Sequence, residues 1–135
     1  MPLSDLPRPA ASGLADLLGI EFESIDGERT VATMPVTPDH HQPLGYLHGG
    51  ASVVLAETVA SVGATAGALP EKVAFGLEIN ANHIRPKQSG TLRAVGERLH
   101  AGRTTQVWQI RITDEDDKLV CVSRCTLALV AADER

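Results

Sequence analysis

The most constraining feature of this chain is an apolar run of small residues, 51–68, with one charged side chain near its centre. That residue is Glu57, the only formally charged residue between Asp39 and Glu71. The run predicts a buried helix, and burying an unpaired carboxylate costs several kcal/mol. We therefore expect Glu57 to be paired, hydrogen-bonded or protonated, and we take it as the centre of a candidate active site.

A membrane span is the main alternative for this run. The run consists mostly of Ala, Gly, Ser, Thr and Val, and it contains Glu57. It barely reaches the roughly 20 strongly apolar residues that a span requires. The first residues also lack the basic segment and apolar core of a secretory signal. We therefore expect no membrane contact and a cytoplasmic location.

The composition predicts one globular domain. The chain has 135 residues, of which 43% are hydrophobic and 21% charged, enough to bury a core. A formal net charge of −5 argues against nucleic-acid binding. Residues 1–14 are predicted to be an N-terminal arm, and residues 15–132 the domain. Cys121 and Cys125 would share one face of a strand, so free buried thiols are expected.

Turn signals and hydrophobic alternation predict an α+β fold, an antiparallel sheet packed around one long helix. Ser12 could cap a short first helix, and Asp26-Gly27 predicts a two-residue hairpin turn. Leu69-Pro70 ends the long helix. The predicted strands span 20–25, 28–36, 73–85, 90–100, 104–113 and 118–130, with Phe75, Leu77 and Ile79 on one face. The helix is apolar nearly all round, so loops or a second subunit must cover part of it.

The loop before the long helix is rich in polar groups and glycine. Gly49 and Gly50 fall at the helix N-terminus, where backbone N–H groups lack partners and the helix dipole is positive. Such an N–H can stabilise an oxyanion. Gln42 and His48 add donors or acceptors, and Glu57 faces the same neighbourhood. Together these groups suit acyl transfer.

Other interpretations of the same residues remain open. Gly49-Gly50 could be only a tight turn, and Glu57 could form a structural ion pair with a buried arginine. His40 and His41 are adjacent and point apart, and no usual ligand spacing follows them. We therefore expect no metal site.

A local basic segment stands out in this acidic chain. Residues 85–111 contain six basic residues and one acidic residue. They could form only a solvated face of two strands, or they could bind the phosphates of a carrier. The best candidates for phosphate binding are Arg85, Lys87, His100 and Arg103, whereas Arg93 and Arg111 fall in mid-strand.

Three stretches, 42–57, 76–83 and 106–110, resemble hotdog-fold thioesterases of the branch with a glutamate on the central helix. The similarity covers roughly residues 15–130. It implies the hotdog fold and hydrolysis of an aryl- or acyl-CoA, with 1,4-dihydroxy-2-naphthoyl-CoA among the branch's substrates. The coenzyme A would belong to the substrate, and no other cofactor is implied.

The resemblance also assigns roles to residues. Glu57 matches the catalytic carboxylate, a nucleophile or a general base, and the Gly49 N–H matches the group that polarises the thioester carbonyl. Gln42 and His48 match the pair that positions water, carbonyl or leaving thiolate. The acyl pocket would include Gly50, Ser61, Val62 and His83, and the phosphates would lie near 85–103. The family implies a homotetramer, a dimer of dimers, with each site shared between two subunits.

Three other activities are alternatives to hydrolysis of an acyl-CoA. A hotdog hydratase or dehydratase disposes its acid and histidine differently from the order Gln42, His48, Glu57. A proofreading thioesterase would take its acyl or aryl group from a carrier protein. A non-catalytic acyl-CoA binding module would keep the pocket without needing a charged Glu57.

Overall fold

A computed structural model describes residues 13–134, and it has the predicted order of elements. Two short 3-10 segments, Pro38–His40 and Ala132–Glu134, accompany α1 (Leu14–Leu17), β1 (Glu21–Ser24), β2 (Arg29–Val36), α2 (Gly49–Ala68), β3 (Lys72–His83), β4 (Gly90–Ala101), β5 (Thr105–Thr113) and β6 (Leu119–Ala131). Ser12 and most of the predicted arm lie outside the described residues. The short first helix has Gly13 as its N-cap, without a side-chain capping bond.

The six strands form one antiparallel sheet in the order β1-β2-β4-β5-β6-β3. The sheet packs around α2, which gives the predicted hotdog architecture. The core is centred on Leu55 and Val59 of α2 and on Trp108, Ile110 and Met34 of the sheet, all fully buried. The strand β3 lies at one edge, so one of its sides has no neighbouring strand among residues 13–134.

Small residues let α2 approach the sheet closely. A Cβ at Gly63 would overlap the indole of Trp108, because helix and sheet touch at this point. Within the described part of the chain, α2 is also the one helix long and apolar enough to cross a membrane, and 44% of its most apolar window is buried. Its packing in the core accounts for this apolar composition. Cys121 and Cys125 are free and buried, as predicted.

The predicted two-residue turn at Asp26-Gly27 is wrong. Residues 25–28 form a wider connection between β1 and β2, because the Asp26 carboxylate accepts the Glu28 N–H at 2.7 Å and the Thr30 hydroxyl donates to the Asp26 carbonyl at 2.9 Å. Gly27 is required for packing and not for a two-residue turn. A Cβ at Gly27 would stand 2.7 Å from the Cα of Gly67, so the glycine permits close contact with the end of α2.

The predicted alternation in β3 is interrupted by a β-bulge. The register against β6 shifts between Gly76 and Glu78. As a result Ala74 and Ile79 both pack against the core, whereas Phe75 and Leu77 are 51% and 63% exposed. A bulge adds one residue and reverses the faces beyond it, which the uninterrupted pattern could not indicate.

Candidate active site

A cleft of about 410 Å³ opens at the N-terminal end of α2. Its walls come from the loop before the helix, the first turn of α2, and the segment that follows β3. They include Gln42, Gly49, Ser52, His83 and Arg85. Three residues of the predicted catalytic and acyl-binding sets, Gln42, Gly49 and His83, therefore meet at one place, with the predicted phosphate ligand Arg85 beside them.

His48 is the N-cap of α2. Its Nδ1 accepts the Gly50 N–H at 2.8 Å, so in the neutral imidazole the proton is on Nε2, which is left as a donor. The Gly50 N–H is thereby occupied and is not free to bind a substrate. The Gly49 N–H has no hydrogen-bond acceptor among residues 13–134. Of the two predicted glycines, Gly49 presents the available backbone donor.

Gln42 is held by the loop that it begins. Its Oε1 accepts the N–H groups of Leu44 and Tyr46, so the oxygen side of the amide is occupied. The backbone N–H of Gln42 also donates to the Tyr46 carbonyl at 2.7 Å. Because both side-chain partners are donors, the oxygen assignment is fixed chemically, and the amide NH₂ remains available to the cleft.

His83 packs directly on the start of α2. A Cβ at Gly49 would stand 2.8 Å from His83 Nε2 and 3.0 Å from Cε1. Glycine at position 49 therefore gives the imidazole its place beside the free N–H. Two residues far apart in sequence are brought together here, as the resemblance implied.

Glu57 lies away from this cleft. It is half-buried, and its carboxylate has no hydrogen bond or ion pair to any residue in the range 13–134, so none of these residues is the expected partner. The structural ion pair with an arginine is likewise not observed there. The carboxylate lies instead against the backbone of Gly76, in the bulge of β3. Ser61 and Val62 are half-buried further along α2 and are not among the cleft-lining residues either.

The surroundings of Glu57 hold one buried thiol. Burial and then the negative charges of Glu57 and Glu78 raise the pKa of Cys125 to about 12. This thiol is therefore neutral at physiological pH and is not a nucleophile.

The basic segment does not form one patch in a single chain. Arg85 lies at the cleft, but His100 lies in the last residues of β4 and Arg103 just beyond that end, roughly 35 Å from Arg85 along the strand. His100 and Arg103 are exposed there, and the Arg103 carbonyl accepts a hydrogen bond from Lys72. One chain therefore cannot bring Arg85 and Arg103 to the same phosphate group.

Lys87 is engaged inside the protein. Its ammonium lies 2.9 Å from Glu115 and 3.4 Å from Asp114, and the hydrogen bond to Glu115 raises the pKa of Lys87. Arg93 and Arg98 likewise form ion pairs, with Glu23 and Glu28. Arg85 has no carboxylate partner among residues 13–134, so it is the uncompensated cation at the cleft.

His40 and His41 both make hydrogen bonds within the loop before α2 and to the segments packed on it. His40 is buried, accepts the Thr37 N–H at Nδ1 and donates from Nε2 to the Leu18 carbonyl at 2.7 Å. His41 Nε2 lies 2.8 Å from the Gln88 carbonyl. Both rings thus hold the loop in place. A clustered acidic group, 114–116, also exists, but Lys87 already neutralises part of it.

Two residues of this region were not singled out from the sequence. Gly76 contacts Glu57, and an isolated glycine within a strand was a signal for a bulge or a close approach. Ser52 lies in the cleft wall, one helical turn after Gly49. The signal for Ser52 was a polar side chain in a helix whose other buried residues are mostly apolar.

Comparison with known proteins agrees with this architecture. A sequence profile described as the thioesterase superfamily matches residues 44–121. The 1,4-dihydroxy-2-naphthoyl-CoA hydrolase of Listeria monocytogenes serotype 1/2a (strain 10403S) is 53% identical over 117 residues, which cover 87% of this chain and 95% of that protein. The proofreading thioesterase EntH of Cronobacter turicensis (strain DSM 18703 / CCUG 55852 / LMG 23827 / z3032) is 39% identical over 130 residues, covering 96% and 95%. A crystal structure of a thioesterase from Haemophilus influenzae superposes with a TM-score of 0.83 and 45% identity, covering 87% of this chain and 82% of that one.

Proposed function

This chain belongs to the thioesterase superfamily and is a thioester hydrolase, and from that premise we propose an aromatic acyl-CoA of the 1,4-dihydroxy-2-naphthoyl-CoA type as its substrate. The relative named for that activity is similar over nearly its whole length. The products would be the free aromatic acid and coenzyme A. We propose no cofactor beyond the coenzyme A of the substrate.

The observation that carries this proposal is the free N–H of Gly49 in a cleft that also holds Gln42 and Arg85. A donor at a helix N-terminus stabilises the negative charge that develops on a thioester carbonyl under attack. The amide NH₂ of Gln42 can orient the carbonyl or the attacking water. The guanidinium of Arg85 suits a phosphate of coenzyme A, because it forms paired hydrogen bonds in one plane.

Glu57 must come from a second copy of the chain if it is to act in this cleft. Gly49 and Glu57 are eight residues apart on one helix, which separates their backbones by about 12 Å along the axis. Glu57 also lies against Gly76, seven residues along β3 from the cleft residue His83. We therefore propose that each site is shared between two subunits.

The edge strand β3 supports such a pairing. It has one side without a strand neighbour in the range 13–134, and its exposed Phe75 and Leu77 need cover. Antiparallel pairing of β3 with a second β3, centred between Ile79 and Asn80, would set Gly76 of one subunit opposite His83 of the other. Glu57 of each subunit would then face the cleft of its neighbour. A tetramer made of two such dimers remains a proposal of the same kind.

In this shared site the chemistry follows two possible courses. As a general base, Glu57 takes a proton from water while the water oxygen bonds to the thioester carbon. As a nucleophile, its carboxylate forms an anhydride that water then cleaves. In both courses the Gly49 N–H holds the carbonyl oxygen, and the sulfur leaves as a thiolate that gains a proton. His48, with its proton on Nε2, is a donor near the start of the helix.

Thiol release tests this function directly. A panel of naphthoyl-, benzoyl- and fatty acyl-CoAs would be compared for the wild type, Glu57→Ala and Glu71→Ala, the last as an exposed carboxylate control outside β3. We expect aromatic substrates to be turned over best and Glu57→Ala to lower kcat by about 10²-fold or more. Equal turnover by wild type and Glu57→Ala would contradict the role of Glu57.

A carrier-protein substrate is the second candidate, because EntH is also similar over nearly its whole length. The panel separates the two: no release from any acyl-CoA, with release from an aryl carrier protein, would favour the carrier. Tight binding of acyl-CoA without release from either donor would favour a binding module. The greater identity to the CoA hydrolase, 53% against 39%, supports proposing the CoA substrate as the first candidate.

A further inference from the structure

Ser52 has a buried hydroxyl that the protein does not satisfy. Its residue is 0% exposed, and its Oγ has no hydrogen-bond partner among residues 13–134. A buried polar group without a partner is destabilising, so each such group requires an explanation. Only Ser123 shares this property within the described residues.

Ser52 differs from Ser123 in its position. Ser52 lies in the wall of the cleft that contains Gly49 and His83, with the buried side chain of Val120 nearby in the same wall. Ser123 instead lines a small polar depression of about 220 Å³ on the sheet, together with Asn80 and Arg124. The unsatisfied hydroxyl of Ser52 therefore lies buried in the wall beside the cleft, next to the Gly49 N–H that we propose to bind the thioester carbonyl.

We propose that the Ser52 hydroxyl recognises a hydroxyl group on the acyl moiety, on the carbon next to the one that carries the thioester carbonyl. This inference rests on the proposed function and specifies the substrate class of the same site. The substrate class is an ortho-hydroxylated aromatic thioester, for which 1,4-dihydroxy-2-naphthoyl-CoA has the required hydroxyl at its first ring position.

The spacing along α2 supports this assignment. Ser52 follows Gly49 by three residues, so the two positions are neighbours on one helix face, about 5–6 Å apart. With the carbonyl oxygen on the Gly49 N–H, an ortho hydroxyl that donates to that carbonyl has its own oxygen about 2.7 Å from the carbonyl oxygen. The proton of the ring hydroxyl is then engaged, so its oxygen accepts from Ser52.

The test is a ratio measured on a matched pair of substrates, 1-hydroxy-2-naphthoyl-CoA and 2-naphthoyl-CoA. For each enzyme, kcat/KM for the hydroxylated substrate is divided by that for the plain one. We expect Ser52→Ala to lower this ratio by about 10- to 100-fold, because the ring hydroxyl loses its buried partner. Ser123→Ala is the control, with the other unsatisfied serine hydroxyl removed away from the cleft, and it should leave the ratio unchanged.

Each result bears on one of the two proposals. A ratio unchanged in Ser52→Ala, or an equal loss on both substrates, would overturn the role of Ser52 and leave the thioesterase proposal standing. No turnover of either naphthoyl-CoA by the wild type would overturn the proposed substrate itself. Ser52→Cys, which keeps the size but weakens the hydrogen bond, should shift the ratio in the same direction and serves if the alanine variant does not fold.

Discussion

The backbone of Gly76 lies against the carboxylate of Glu57, so a Cβ at position 76 would overlap Oε2 and stand 3.1 Å from Cδ. The β-bulge between Gly76 and Glu78 creates this contact, because it brings the strand backbone toward α2 at that point. The edge strand thus determines where the only charged group of the central helix can lie. The position of the proposed catalytic carboxylate depends on a residue that carries no functional group.

Gly76→Ala should therefore impair catalysis more than folding. The added methyl group must displace Glu57, and a displacement of about 1 Å at a reacting group can cost about 100-fold in rate. Steady-state kcat and the urea midpoint would be measured together. Gly13→Ala is the matched control, because nothing lies within 4 Å of a Cβ there. Full activity in Gly76→Ala would show that the carboxylate position is not critical.

Gly49→Ala should disturb the other half of the site. Its Cβ would lie 2.8 Å from His83 Nε2, so the imidazole must move away from the helix start. We expect a lower kcat/KM, and we expect the loss to be smaller when His83 is already alanine, since the clash is then absent. A double-mutant cycle on kcat/KM measures this coupling. Additive losses from the two substitutions would argue against direct contact.

The order of elements was predictable because its signals are local. The apolar run with Leu69-Pro70 defined α2, and alternation in 104–113 placed Gln106 and Trp108 on the buried face, as observed. The bulge in β3 and the wide connection at Asp26 were not predictable in the same way. Both depend on hydrogen bonds and contacts made with other elements after the chain has folded.

The site was predictable only in part. Residues near the start of α2 meet in the cleft because one turn of helix and its cap position them, and Gln42, Gly49 and His83 all line it. The basic residues Arg85 and Arg103 are close in sequence but lie at opposite ends of the sheet, because the whole length of β4 separates them. The sequence alone therefore suggested a single basic patch that the fold does not form. The separation of Glu57 from Gly49 follows from their eight-residue spacing on one helix, and shared sites were expected only from the family resemblance.

Gln106→Leu should destabilise the fold. The Gln106 Oε1 accepts the Trp108 indole N–H at 2.8 Å in the buried core, so the substitution leaves that N–H unsatisfied. The expected loss is about 1–3 kcal/mol in the free energy of unfolding, measured by urea denaturation. Gln109→Leu, on the other face of β5, is the control. An unchanged midpoint in Gln106→Leu would mean that water or rearrangement satisfies the indole.

The cluster of Lys87, Asp114 and Glu115 should give the fold an acid-sensitive component. Hydrogen bonds from the backbone N–H of Lys118 to Asp114 and of Thr91 to Glu115, and then Lys87, lower the pKa of both carboxyls. A carboxyl with a lowered pKa stabilises the fold above its unfolded pKa, and that stability is lost as pH falls through the folded pKa. The raised pKa of Lys87 gives stability that is lost only as pH rises through its folded value.

Lys87→Met should consequently lower the stability at neutral pH and flatten its decline in acid. The decline should persist in part, because the two backbone hydrogen bonds remain. Urea midpoints between pH 2.5 and 7 at low salt measure this, since salt screens exposed charges. The exposed Lys118, replaced by Met, is the control with its backbone N–H intact. An identical pH profile in Lys87→Met and wild type would remove Lys87 from this cluster's energetics.

Mixed oligomers test whether Glu57 and the cleft come from different subunits. Glu57→Ala and Gln42→Ala subunits should each be impaired alone, because every site in either homodimer lacks one group. A mixed dimer contains one site with both groups intact, so random mixing of the two should restore about a quarter of wild-type activity. Co-expression with two affinity tags isolates the mixed species and confirms that it forms. Mixed dimers no more active than their parents would mean that one chain supplies the whole site, and Glu57 would then have to reach a cleft that lies about 12 Å along its own helix.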